Sequence, residues 1–207
     1  MNSQGTIPSK WTENVIIADA DYVDRVAFDL IVNFERMIGR KIPRADMSQW
    51  AVCTALDGGL REGSHQTLLV LIHEKKRAGM ENFSPSEFDK ELNGQAFRDA
   101  RLGEFLISSY PVEELIGKNE FMLETLKAVL AQEEVRRIMV VPNAEEGNLY
   151  HEIRSLLHSH DDEEKHITIF TMQPLPGGKF RQELLGYSLM SALGIKSNEI
   201  KSQEKYE

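Results

Sequence analysis

A single cysteine, Cys53, stands in 207 residues, so no intrachain disulfide is available and the fold must rest on its core. Positive charge is also scarce, with 24 basic against 33 acidic residues and a formal net charge of −9. That balance disfavours broad attraction to nucleic acid or to an anionic membrane, and leaves small molecules, metal ions and other proteins as partners. No apolar run approaches the roughly 18–20 residues of a membrane span. Residues Met1 to Lys10 hold no apolar segment of the signal-peptide kind, which places the expected locale in the cytoplasm. Low-complexity segments and internal repeats are missing, as are the Gly-x-Gly-x-x-Gly, His-Glu-x-x-His and Gly-x-Ser-x-Gly patterns.

Short, continuously apolar runs alternate with helical patterns. Val15–Ala18, Thr67–Ile72, Phe105–Ser108, Arg137–Val141 and Ile167–Met172 read as strands covered on both faces. After the first, Val23, Val26, Ala27, Leu30, Phe34 and Met37 recur at helical spacing up to Gly39, a C-terminal cap. Asp46 with Gln49 opens a second helix, with Trp50, Cys53 and Leu56 on its packed face and Gly58-Gly59 as its stop. Ser84, Pro85 and Glu87 predict another helix start, Pro111 a helical turn, and Asn119 the cap of a helix to about Ala131. Asn143 with Glu146 suggests one more capping box, and a last helix is expected from about Phe180 to Leu193, with Gly186 permitting close packing. The expected fold is α/β, a three-layer sandwich with a mostly parallel sheet of about five strands and helices on both faces. Residues 1–10 are read as a flexible start, 11–195 as one domain and 196–207 as a charged, frayed tail.

Open parallel sheets bind ligands beyond the carboxyl ends of their strands. That edge gathers Asp19, Asp21 and Asp24 after the first strand, His73 and Glu74 after the second, Asn143, Glu145 and Glu146 after the fourth, and Gln173 and Lys179 after the fifth. Carboxylates placed directly after a buried strand need hydrogen bonds, water or a cation. An oxygen-rich set of Asp19, Asp21, Asp24, Glu145 and Glu146 suits Mg2+ or Mn2+, which would position a phosphate and activate water. Helix capping is the competing role for Asp21 and Asp24. His151, His158, His160 and His166 read as a solvated helix and loop, Arg136-Arg137 as a basic pair that could meet an anion but is expected to lie in solvent, and Ser188 as structural.

The run Val15 to Asp24 resembles the first motif of haloacid-dehalogenase-like phosphatases, which implies Asp19 as nucleophile and Asp21 as acid/base. His73-Glu74 stands where that family has Ser or Thr, and Pro142-Asn143 where it has an acidic pair. The same run also resembles PIN-like nucleases with their NYN branch. That resemblance implies a divalent-metal-dependent phosphoesterase or nuclease with Asp19 as principal ligand, assisted by Asp21 or Asp24 and by Glu145 or Glu146. Over Glu13 to Phe34, Leu56 to Gly63 and Phe180 to Met190 the chain resembles a bacterial family of unknown function, a resemblance that implies no activity. A non-catalytic interaction module, with an exposed apolar patch on the Phe180–Leu193 helix making a homodimer, is the alternative.

Overall fold

The computed structural model describes residues 10–113, 117–158 and 165–201. Strand β1 (Asn14–Asp19) is buried along its whole length. Helix α1 (Ala20–Ile38) follows without a loop, because the carboxylate of Asp19 accepts the Tyr22 N–H and caps it. Gly39 ends α1 in the left-handed region (φ 76°), its N–H donating to Glu35 O. Strand β2 (Ala45–Asp46) leads into α2 (Met47–Asp57), where Asp46 accepts the Gln49 N–H as expected. The chain continues through β3 (His65–Glu74), β4 (Phe83–Ser84), a π-helical turn at Phe88–Leu92, β5 (Ala96–Asp99) and β6 (Gly103–Val112). It then forms α3 (Lys118–Leu130), β7 (Arg137–Val141), α4 (Leu149–His158), β8 (His166–Thr171), β9 (Arg181–Leu184), α5 (Leu185–Ala192) and α6 (Ser197–Lys201).

Seven strands form one sheet in the order β5-β6-β3-β1-β7-β8-β9, parallel except for β5, while β2 and β4 pair separately. Side chains alternate across it. Ile16, Ala18, Leu69, Leu71, Met139 and Phe170 meet α1, α2 and α5 on one face. Val15, Ile17, Val70, Val140 and Ile169 meet α3 and α4 on the other. The architecture is thus a three-layer α/β sandwich, with two more strands than expected. Both extra strands are edges (β5 and β9) that need no unbroken apolar run.

Several local expectations fail. Pro111 continues β6 rather than opening a helix. Glu91 reaches back to the N–H groups of Ser86 and Glu87, so only the short π-helical turn forms after Pro85. Gly117, not Asn119, precedes α3, and no capping box forms at Asn143, since α4 starts at Leu149. The first part of the expected Phe180–Leu193 helix is β9, parallel to β8. The 196–207 segment includes α6, tied back by Arg40 Nε to Glu199 Oε1 at 2.7 Å. The loop at 161–165 and the ends of the chain fall largely outside the described residues.

Candidate functional site

Along the five central strands β6-β3-β1-β7-β8 the chain order is third, second, first, fourth, fifth. The direction of winding therefore reverses between β1 and β7, where open α/β sheets form their binding crevice. A cleft of about 890 Å³ lies at that edge. Its walls include Asp19, Asp21 and Asp24, Glu74, the 76–82 loop, the start of α3, and Asn143, Glu146 and Gly147 after β7.

Asp19 sits at the end of β1, 2% exposed. Its Oδ1 accepts both the Tyr22 N–H and the Lys118 ammonium, the latter at 3.0 Å. Lys118 also donates to Asp21 Oδ2 at 2.8 Å, so one ammonium bridges two carboxylates. Burial raises the Asp19 carboxyl above the ordinary carboxylate value, and the Lys118 charge offsets that only in part. Burial would lower the lysine, but Asp19 and Asp21 together raise it. Asp21 is the connecting residue: its Oδ2 also accepts the Glu74 N–H at 2.8 Å, tying α1 to the end of β3. Arg77 Nε lies 3.3 Å from Asp21 Oδ1 in an ion pair without hydrogen-bond alignment, so that buried oxygen accepts no hydrogen bond among the described residues. Asn143 Oδ1, across the cleft, is likewise buried without a described partner.

Asp24 faces another way. Its carboxylate takes Arg77 Nη2 at 2.7 Å, the Glu81 N–H, and both the backbone and side-chain nitrogens of Asn82. Those bonds fold the 77–82 loop over α1 and fill the oxygens a ligand would need. Neither Asp21 nor Asp24 caps α1; Asp19 does. Glu145 accepts the Tyr22 hydroxyl at 3.0 Å, and Arg25 binds Glu146 at 2.8 Å, which seats the loop after β7 on α1. Burial and Glu145 raise the Tyr22 phenol. The five carboxylates expected as one ligand set are thus divided among Lys118, Arg77 and Arg25. Among the described residues no three His, Cys, Asp or Glu side chains converge as a metal-holding group.

Beside the cleft, His73 is buried with its ring stacked on Phe88, centroids 3.6 Å apart. Its Nδ1 lies 3.0 Å from Glu74 O, a carbonyl, so Nδ1 carries the proton and Nε2 is left without a described partner. Burial lowers its pKa. Lys179 lies apart, in a hollow beside α4. His151 and His158 are exposed on α4, and Ser188 donates to Leu185 O as a buried structural group. Cys53 is half-buried, 3.2 Å from Ser191 Oγ, rather than in the core. Gly186 has room to spare: a Cβ there would meet only Met172 Cε at 3.8 Å.

Lys118 and Arg77 were not among the sequence candidates. Reading Pro111 as a helix start ended the third strand too early, which hid that Lys118 lies at the same sheet edge as Asp19. Arg77 fell in a polar stretch whose one signal was a cation following a strand end.

These features define an open α/β sheet protein with a lysine-bridged carboxylate pair at its topological switch point. The chain belongs to DUF6621, a family of unknown function whose model matches residues 8–200. No curated protein and no solved structure gives a significant match. Among the described residues no helix is long and apolar enough to cross a membrane.

Proposed function

We propose that this protein binds a small phosphate ester in the switch-point cleft and hydrolyses it, with Asp19 and Lys118 as the working pair. The observation that carries this reading is the Lys118 ammonium bridging Asp19 and Asp21 beside the start of α3. Among the described residues no side chain caps that helix, and its first-turn N–H groups and positive dipole end favour an anion next to the lysine. Arg25, Lys76 and Arg77 also line the walls, each paired with a carboxylate there, and Asp21 Oδ1 and Asn143 Oδ1 offer acceptors to ligand hydroxyls. In this reading Asp19 either attacks phosphorus and displaces the alcohol, water then cleaving the acyl phosphate, or takes a proton from the water that attacks phosphorus as the alcohol leaves. The net charge of −9 favours a small ester over nucleic acid.

Lys118 supplies the positive charge that Mg2+ or Mn2+ would bring between these carboxylates, so metal must compete with it. Calorimetry with Mn2+ on wild type, Lys118→Met and Lys118→Met/Asp19→Asn tests this. Weak binding in wild type, saturable binding in Lys118→Met and its loss in the double variant are expected. Micromolar Mn2+ binding by wild type would instead return the site to the metal-dependent class. Hydrolysis of a panel of phosphomonoesters should slow by about 10²-fold or more in Asp19→Asn, which keeps a capping side chain. Absence of both turnover and ester binding in wild type sinks the proposal.

One observation favours an interaction module instead: Phe28 and Met37 on α1 and Tyr187 on α5 are 52%, 44% and 61% exposed. A concentration-dependent sedimentation coefficient that Phe28→Ser removes would support that reading.

A further inference from the structure

A second cluster of charge lies at the opposite, amino edge of the sheet. Arg137 opens β7, Arg181 opens β9, and Gly59 follows the end of α2 between them. A Cβ on Gly59 would lie 3.1 Å from Nη1 of Arg137 and 3.1 Å from Nη1 of Arg181, so the two nitrogens are at most twice that distance apart. Like charges this close are unfavourable unless something negative joins them.

Three carboxylates lie nearby, Glu183, Glu13 and Asp57, and none forms an ion pair with both arginines among the described residues; Asp57 acts on Arg181 through its charge, without an ion pair within 4.0 Å. Glu183 takes Nε and Nη2 of Arg181, at 2.7 and 2.5 Å, which leaves Nη1 directed to Gly59. Glu13 is engaged by His65 and Asn14. Arg137 has no ion pair within 4.0 Å among the described residues. Its Nη1 donates to Gly58 O at 2.7 Å, a helix-capping bond that uses one of its five N–H donors. Capping explains one arginine at this glycine and not two. Burial and the neighbouring charges of Arg181 and Arg61 make the Arg137 cation less favourable than usual, and the charge of Glu13 offsets that only in part. Gly59 itself, at φ 86°, holds a conformation that favours glycine and presents no side chain to fill the space.

We propose that Arg137 and Arg181, set around Gly59 at the amino edge of the sheet, bind a small oxyanion of the phosphate class. One tetrahedral anion accepting bonds of about 2.8 Å from each guanidinium spans the separation, and planar forks suit that geometry better than ammonium groups do. Glu183 is a positioning residue that aims Arg181. The site is remote from the cleft, and its existence does not depend on what the cleft does.

The test is calorimetric titration with inorganic phosphate at constant ionic strength, on wild type, Lys118→Met and Arg181→Gln. Lys118→Met removes the ammonium on which the cleft proposal rests, so binding that survives there and is weakened by Arg181→Gln belongs at Gly59. Saturable binding is expected in wild type and Lys118→Met, with affinity at this site at least about tenfold weaker in Arg181→Gln and partly restored in Arg181→Lys. Arg181 is exposed, so these variants keep the fold, and circular dichroism melting checks it. Glycerol phosphate separates the ligand sources: tighter binding than inorganic phosphate assigns the phosphate end of a larger molecule, and equal or weaker binding assigns the free anion. Binding lost in Lys118→Met, or unchanged in Arg181→Gln, overturns the inference and leaves the cleft proposal standing.

Discussion

Asp24 and His73 show how much of the chemistry around the cleft is structural. The Asp24 side chain is 4% exposed, and it satisfies Arg77, Asn82 and the Glu81 amide at once. Asp24→Ala would strand a partly buried guanidinium and two backbone donors, a loss of about 3 kcal/mol or more. For a chain of this size that lowers Tm by roughly 6–12 °C, readable by calorimetry, and Asp24→Asn should recover only part because it cannot pair with Arg77. His73 contributes through its protonation. Its folded pKa is depressed, so its contribution to stability is full above about pH 6.5 and is lost as pH falls through the depressed value. The urea midpoint of wild type should therefore fall more between about pH 7.5 and about pH 5.5 than that of His73→Phe. Phe keeps the stacking on Phe88 and has nothing to protonate. Equal falls in both proteins would show that the acid sensitivity lies elsewhere. Asp19 was legible in the sequence because a carboxylate after four buried apolar residues is costly without partners. Its partner was not, since Lys118 is 99 residues away and only the sheet brings the two together.

Among the elements, those with continuous apolar runs were readable and those at edges were not. β7 matches the reading of Arg137–Val141, and α1 runs from its aspartate cap to Gly39. β9 was read as the start of a helix because Arg181 to Leu184 presents one exposed and three half-buried residues, a pattern without a clear period. β6 was read as four residues and has ten, since its alternating half-buried side chains and Pro111 mask the strand. What sets the start of β6 is Gly103. A Cβ there would lie 2.4 Å from His65 O and 2.6 Å from His65 N, and its φ is 91°. Gly103→Ala should cost about 3 kcal/mol or more, since a backbone contact cannot swing aside. Gly94→Ala, at φ 73° with nothing within 4 Å, should cost only about 1 kcal/mol. Chemical denaturation of the two variants measures the difference, and similar values would show that the strand end yields more easily than its contacts imply.

At the scale of the molecule, one sheet serves two cores. The same strands feed both: Ile16 and Ala18 of β1 belong to one cluster, Val15 and Ile17 to the other. Neither layer of helices can leave without exposing apolar residues that brace strands shared with the opposite layer. The chain should therefore unfold in a single cooperative transition, although it has a separate helical layer on each face. The two tryptophans make this directly measurable. Trp50 lies in the core beneath α1, α2 and α5, and Trp11 in the core beneath α3 and α4. Trp11→Phe leaves fluorescence reporting the first core alone, and Trp50→Phe the second. Each variant's fluorescence transition in urea should coincide with its own far-ultraviolet circular dichroism transition. The two variants should also share one slope, because the slope follows the surface exposed on unfolding and that surface is the whole chain's. A Trp11 signal that melts before the helical signal would mean that the α3–α4 layer opens first. Lys118 is the first residue of α3, so such an opening would separate Lys118 from Asp19 and disassemble the cleft before the rest of the fold gave way.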